Sequence, residues 1–186
     1  MAVDAIFSTG TEKMEKTISQ MKKEFASIRT GRANPMMLDK VLVEYYGAPT
    51  PLRQLSQVSV QDGTTLVIAP FDKSILKEIE KAIVKADLGI NPNSDGVVVR
   101  LVFPPLTSDK RKEICKDVKK VCEETKVAIR NIRRDMTDEL KKVEKAENLS
   151  EDMVKDNQDK IQKLTDKYIK IADELEVEKE KEVLTV

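Results

Sequence analysis

Residues Val127 to Lys142 read V-A-I-R-N-I-R-R-D-M-T-D-E-L-K-K, and their apolar positions recur three and four apart, the spacing of a helix rather than the alternation of a strand. On a wheel of about 100° per residue centred on Arg133, the side chains of Lys119, Lys126, Arg130 and Lys141 fall within about 80° of one another, while Ile114, Val121, Thr125 and Ile132 lie roughly opposite. One side of this helix is therefore expected to be buried and the other basic. A helix of about 40 residues carries such a stripe along about 60 Å, and guanidinium groups held in register, Arg133 and Arg134 among them, can fork onto phosphates. The plainer alternative is a solvated helix surface laced with i,i+4 ion pairs. The stretch by itself leaves both open.

Working outward, this helix is expected to begin after Pro104-Pro105 with Thr107 or Ser108 as its cap and to turn Ile114, Val118, Val121, Thr125, Ala128, Ile132, Met136, Leu140 and Val143 inward. The steps of four from Ile132 through Met136 to Leu140 form a stutter, which locally relaxes supercoiling. Past Asn148, Ser150 is expected to cap a further helix with Val154, Asn157, Ile161, Leu164, Tyr168, Ile171 and Leu175 on its seam. Near the N-terminus, Met14, Ile18, Met21, Phe25 and Ile28 predict a helix from about Thr11 to Arg29, with Thr9 and Glu12 as a capping box.

Between the first and second of these helices the period changes. V-L-V-E-Y at 41 to 45, Q-V-S-V at 57 to 60 and T-L-V-I-A at 65 to 69 read as strands, the last two joined through Asp62-Gly63. Asp72 can then cap a helix whose face is Ile75, Leu76, Ile79, Ala82, Ile83 and Ala86, ended by Gly89. A strand at 97 to 103 follows the turn N-P-N-S-D-G, giving one sheet with one helix on it. The expected class is α+β: a discontinuous three-helix bundle domain, residues 1–30 and 105–186, with an inserted small α/β sheet domain, residues 31–104. Two thin connections, Thr30-Gly31-Arg32 and Phe103-Pro104-Pro105, are the candidate hinge, with a fixed elbow as the alternative.

Composition narrows the function. Lys+Arg and Asp+Glu number 33 each, so any nucleic-acid binding must come from how charge is distributed. Residues 106 to 135 hold 10 basic against 6 acidic side chains, and residues 144 to 186 hold 8 against 13. Aromatics are only 4%, so the core must be aliphatic, which suits helix seams and one small sheet. With no His in the chain, Cys2His2 and HExxH metal sites and His-based triads are excluded. Cys115 and Cys122, seven residues apart on one helix, cannot bridge each other and are expected on its flank. Free thiols suit a reducing, cytoplasmic setting. Neither a secretory leader nor a membrane span is visible in the apolar pattern. No GxxxxGK[ST], GxGxxG after a strand, or GxSxG occurs, so neither an enzyme nor a cofactor is expected. A non-catalytic alternative is a helical adaptor for proteins, which differs from an RNA binder in being less sensitive to salt.

Several motifs together carry a resemblance: I-R-T-G-R-A-N-P at 28 to 35, Y-Y-G at 45 to 47, P-L at 51 to 52, D-L-G-I-N-P at 87 to 92, P-P-L-T at 104 to 107, R-N-I-R-R-D at 130 to 135 and L-T-D-K at 164 to 167. Along essentially its whole length the chain resembles the ribosome recycling factor family. The resemblance implies an L-shaped, monomeric protein of transfer-RNA-like dimensions. Its bundle would lie on the large ribosomal subunit and its small domain would project toward the decoding side. Elongation factor G, with GTP, would then use it to split the post-termination ribosome. The family's key arginines match Arg29, Arg32, Arg130, Arg133 and Arg134, which it presents to large-subunit ribosomal RNA; Lys119 and Lys126 join them from the wheel. The chain departs from the pattern at Met136-Thr137, where relatives often carry Ala-Asn, and at Phe71, where many carry Trp. Met136 lies on the core side of the wheel and is expected to alter packing more than RNA contact.

Overall fold

The structure, a computed structural model, describes residues 2–185. It opens with α1 (Ala2–Ser27) and a 3-10 turn (Pro35–Leu38), followed by β1 (Leu42–Tyr45), β2 (Ala48–Pro51), the single-turn α2 (Leu52–Leu55), β3 (Ser56–Gln61) and β4 (Thr65–Pro70). A second 3-10 turn (Lys73–Ile75) leads into α3 (Leu76–Lys85), then β5 (Asn93–Ser94) and β6 (Val99–Val102). Two long helices, α4 (Ser108–Glu147) and α5 (Glu151–Leu184), complete it. The chain divides into two compact units, Met1–Phe25 with Cys115–Glu182, and Ala26–Ile114 with Val183–Val186.

The first unit is a bundle of α1, α4 and α5. Met14, Ile18, Met21 and Phe25 of α1 are buried, as are Val118, Cys122, Ile129, Met136 and Leu140 of α4 and Val154, Ile161, Tyr168 and Ala172 of α5. All three helices touch. The Cys122 thiol reaches the Ala172 carbonyl at 3.6 Å, the Tyr168 hydroxyl meets Glu15 at 3.2 Å, and Met136 lies over Gly10. α4 begins with the Thr107 hydroxyl accepting from the Lys110 N–H, and α5 with Ser150 accepting from the Met153 N–H, so both starts have the side-chain caps that the sequence leads one to expect.

Two sequence expectations are corrected here. α1 begins at Ala2, nine residues before Thr11, and Thr9 and Glu12 lie inside it rather than capping it. The seam continues backward from Met14 through Gly10 to Ile6, both buried; the S-T-G-T run resembles a breaker, yet packing on that face outweighs its poor propensity. On α4 and α5 much of the expected seam is buried, Ile114, Val118, Thr125, Met136 and Leu140 on one and Val154, Asn157, Ile161 and Tyr168 on the other, but the core also takes in residues beside it. Cys122 and Ile129 are fully buried where Val121, Ala128, Ile132 and Val143 are only half-buried, and Thr165 and Ala172 are buried where Leu164, Ile171 and Leu175 are half-buried. Small side chains occupy the closest approach, as the contact between Cys122 and the Ala172 backbone requires, and larger ones close the sides. Cys122 is therefore a core residue; Cys115 is half-buried.

In the second unit the sheet is not single. β1 and β2 form a separate two-stranded hairpin, Leu42 opposite Pro51, turned by Tyr46 and Gly47, both at positive φ. The other four strands are antiparallel in the order β3-β4-β6-β5. β2 escapes a sequence reading because A-P-T-P has two residues without an N–H, a composition tolerated only at a sheet edge. Leu66 and Ile68 of β4 pair across from Leu101 and Val99 of β6 and share one buried face. Ile79 and Ile83 of α3, Val43, Leu52 and Phe103 complete that core. Asp72 accepts from the Ser74 N–H to start the turn into α3, and Asp62-Gly63, both at positive φ, make the β3-β4 turn.

Candidate nucleic-acid interface

The seam of α4 fixes which way its basic residues face. With Ile129, Met136 and Leu140 buried, Arg130 and Arg134 are exposed and Arg133 is half-buried at the margin between α4 and α5. Arg133 Nη1 donates to Gln162 Oε1 at 3.0 Å, and Gln162 Nε2 donates to Asp166 Oδ1 at 2.8 Å. Arg133, Arg134, Thr137 and Lys141 of α4 and Gln158 and Gln162 of α5 line an open groove of about 580 Å³, with Asp138 and Ile161 also on its wall. Such a groove offers two guanidinium groups, an ammonium and two amides, a donor set suited to phosphate and ribose oxygens. Gln158 and Gln162 lie on α5, outside what helical periodicity within α4 can show. Their only sequence signal is the i,i+4 spacing of Gln158, Gln162 and Asp166 beside the α5 seam.

The lysines of the stripe are engaged differently. Lys126 has a side chain only 13% exposed and pairs with Asp173 of α5 and with Glu123 at 3.1 Å. Its hydrogen bond to Asp173, more than any other factor, raises its pKa and holds the ammonium charged. Lys119 lies 3.4 Å from Glu180, and Lys141 3.9 Å from Asp138, both well exposed. Arg29 and Arg32 belong to the second unit. Arg29 Nη2 donates to the Pro104 carbonyl at 3.1 Å, and Arg32 is exposed. Of the candidate hinge residues, Thr30, Gly31 and Phe103 are buried, and Phe103 is part of the small core. Gly31 has φ +83, a conformation that favours glycine. Pro104 and Pro105 are exposed.

Among the described residues, one cluster brings metal-ligating atoms together. Cys122, Asp173 and Glu176 bring their ligand atoms within 4.8 Å of one another. Burial, and next the Glu176 carboxylate, push the Cys122 thiol up to about 12, and the Lys126 ammonium already sits on Asp173. A protonated thiol and a paired carboxylate form an internal ion-pair network rather than a ready cation site.

Comparison with known proteins bears on the family and the fold. The family model described as ribosome recycling factor matches residues 21–184. The chain belongs to the ribosome recycling factor family. It is 54% identical to the ribosome-recycling factor of Caldicellulosiruptor saccharolyticus over 94% of this chain and 95% of that one, and 52% identical to that of a Geobacillus species over 99% and 100%. Its fold is similar to a solution structure of the ribosome recycling factor, with a TM-score of 0.81 and 37% identity over 100% and 99% of the two chains. A second similar structure, TM-score 0.68 and 43% identity over 99% and 100%, is described as models of the T. thermophilus ribosome recycling factor and the E. coli elongation factor G bound to the E. coli post-termination complex. The resemblance of the motifs to the ribosome recycling factor family, and the α+β class with its long helices and small sheet domain, therefore stand.

Proposed function

We propose that this chain is a translation factor that binds the large ribosomal subunit after termination and, with elongation factor G and GTP, dissociates the post-termination ribosome for reuse. Family membership supports this reading, as does a relative described in the presence of elongation factor G on a post-termination complex. The observation that carries it on this molecule is the run of Arg130, Arg133 and Arg134, directed away from the α4 seam toward solvent and the α4/α5 groove. Contacts to phosphate and sugar would read the RNA by shape.

In this reading, Arg29, Arg32 and Lys119 belong with the three arginines as ribosomal-RNA contacts, whereas Lys126, expected with them from the helical wheel, is taken up by Asp173 and Glu123. Residues 31–104 are the inserted lever domain on a bundle of 1–30 and 105–186, with the hinge at Thr30, Gly31, Arg32, Phe103, Pro104 and Pro105. The chain works as a cytoplasmic monomer without catalysis of its own, so the energy for splitting comes from the GTP hydrolysed by its partner. Light scattering tests this. Vacant ribosomes mixed with the protein, elongation factor G and GTP are expected to lose scattering as the subunits part, and omission of any one component is expected to abolish the change. Loss of scattering without elongation factor G, or none with all components present, would sink the reading.

A further inference from the structure

Arg133 differs from the arginines beside it in being held. Among the described residues, neither Arg130 nor Arg134 has a side-chain hydrogen bond or ion pair, whereas Arg133 donates to Gln162, which donates in turn to Asp166. The direction of this chain follows from the groups themselves. A carboxylate only accepts and a guanidinium only donates, so the amide must turn its NH2 to Asp166 and its oxygen to Arg133; reversed, both contacts would be repulsive. Gln162 and Asp166 lie one helical turn apart on α5, so the helix supplies the spacing.

We infer that Gln162 is a positioning residue for Arg133: it sets the guanidinium in one orientation at the α4/α5 groove, so that a phosphate of ribosomal RNA meets a prepared fork rather than a rotating side chain. This rests on the reading above that Arg133 meets ribosomal RNA. One N–H is spent on the amide, and the guanidinium keeps its other donors for the ligand. A carboxylate at position 162 would hold Arg133 as firmly but cancel the charge a phosphate needs. The neutral amide orients it without neutralising it, while Asp166, placed behind, fixes the amide. Pre-organising an otherwise mobile side chain reduces the entropy lost on binding.

The experiment pelletises vacant large ribosomal subunits with the full-length chain, Gln162→Leu, Gln162→Glu, Arg133→Ala and the Arg133→Ala/Gln162→Leu double variant across a series of KCl concentrations. Gln162→Leu is expected to weaken binding about three- to tenfold. Its slope of log affinity against log salt is expected to stay near the parent's while that of Arg133→Ala falls, because Gln162→Leu keeps the charge and the slope counts phosphates neutralised. Gln162→Glu is expected to bind more weakly than Gln162→Leu, and the double variant no more weakly than Arg133→Ala. Because Gln162 is exposed, the unfolding temperature of Gln162→Leu is expected to stay within about 2 °C of the parent. If Arg133→Ala binds as the parent does, both the inference and the role of Arg133 are overturned. If Arg133→Ala loses affinity while Gln162→Leu keeps parental affinity, or if the two losses add in the double variant, the positioning role is overturned and the role of Arg133 stands.

Discussion

A covered basic side chain already paired with carboxylates is poorly placed to serve a phosphate, and along α4 that condition separates residues a helical wheel treats alike. Lys126 is claimed by Asp173 and Glu123 and is mostly covered, whereas Arg133 is held through a neutral amide. Arg133→Glu is accordingly expected to weaken binding to large subunits by about 2 kcal/mol or more, read as lost pelleting at moderate salt. Lys126→Gln is expected to act mainly on folding, lowering stability by about 1 kcal/mol in urea melts and changing affinity less than about twofold, because it leaves Asp173 without its partner. Cys122 gives a pH signature. Burial first, then Glu176, raise its thiol from 9.0 to about 12, so the unfolded chain gives up this proton at a lower pH than the folded one. The stabilisation tied to the protonated thiol is complete below about pH 9 and is lost as pH rises toward 12. The stability advantage of the parent over Cys122→Ala, measured by urea melts under reducing conditions, is expected to shrink between pH 8 and about pH 10.5.

At the scale of helices and strands, the clearest dependence is that of α1 on α4 through Gly10 and Met136. Met136 is 3% exposed, and a Cβ placed on Gly10 would overlap its Sδ and Cε, so the missing side chain on α1 makes room for the large one on α4. Met136→Ala alone is expected to cost about 2–5 kcal/mol through the space it leaves. Gly10→Ala is expected to destabilise the parent, yet in the Met136→Ala background it should stabilise by about 1 kcal/mol, since the clash is gone and alanine is the better helix former. A change of sign across the four variants in urea melts checks this; additive effects would refute the coupling. The same pair shows what was legible in the sequence. Met136 could be placed on the inner face because helical periodicity is local, and Thr107, Ser150, Asp72 and Asp62-Gly63 could be placed because caps and turns depend on a few adjacent residues. The N-terminal reach of α1 could not, since Gly10 makes sense only against a residue 126 positions away. Nor could β2, whose prolines argue against a strand until Leu42 to Tyr45 is seen beside it, or Gln162, whose value lies in the arginine facing it from another helix.

At the scale of the whole molecule, 33 basic and 33 acidic side chains cancel, and a chain with no net charge gains little from RNA in general. What it has instead is separation along the sequence, with the basic surplus on residues 106 to 135 and the acidic surplus on residues 144 to 186. On the reading given above, a ribosomal site of matching shape can use the basic face, whereas an unstructured strand, free to sample every face, also meets the acidic one. Exposed carboxylates of α5 away from the Gln162 groove would then act as a filter against unspecific RNA rather than as part of the binding face. Replacing Glu151, Asp152 and Glu178, all exposed, with the corresponding amides Gln, Asn and Gln adds three units of positive charge without touching the α4 arginines. Filter binding to poly(U) at low salt is expected to tighten about tenfold, with a steeper dependence on salt, while the rate of ribosome splitting with elongation factor G and GTP stays within about twofold of the parent. Faster splitting in step with tighter poly(U) binding would mean that bulk charge, and not the placed arginines, sets the affinity for the ribosome.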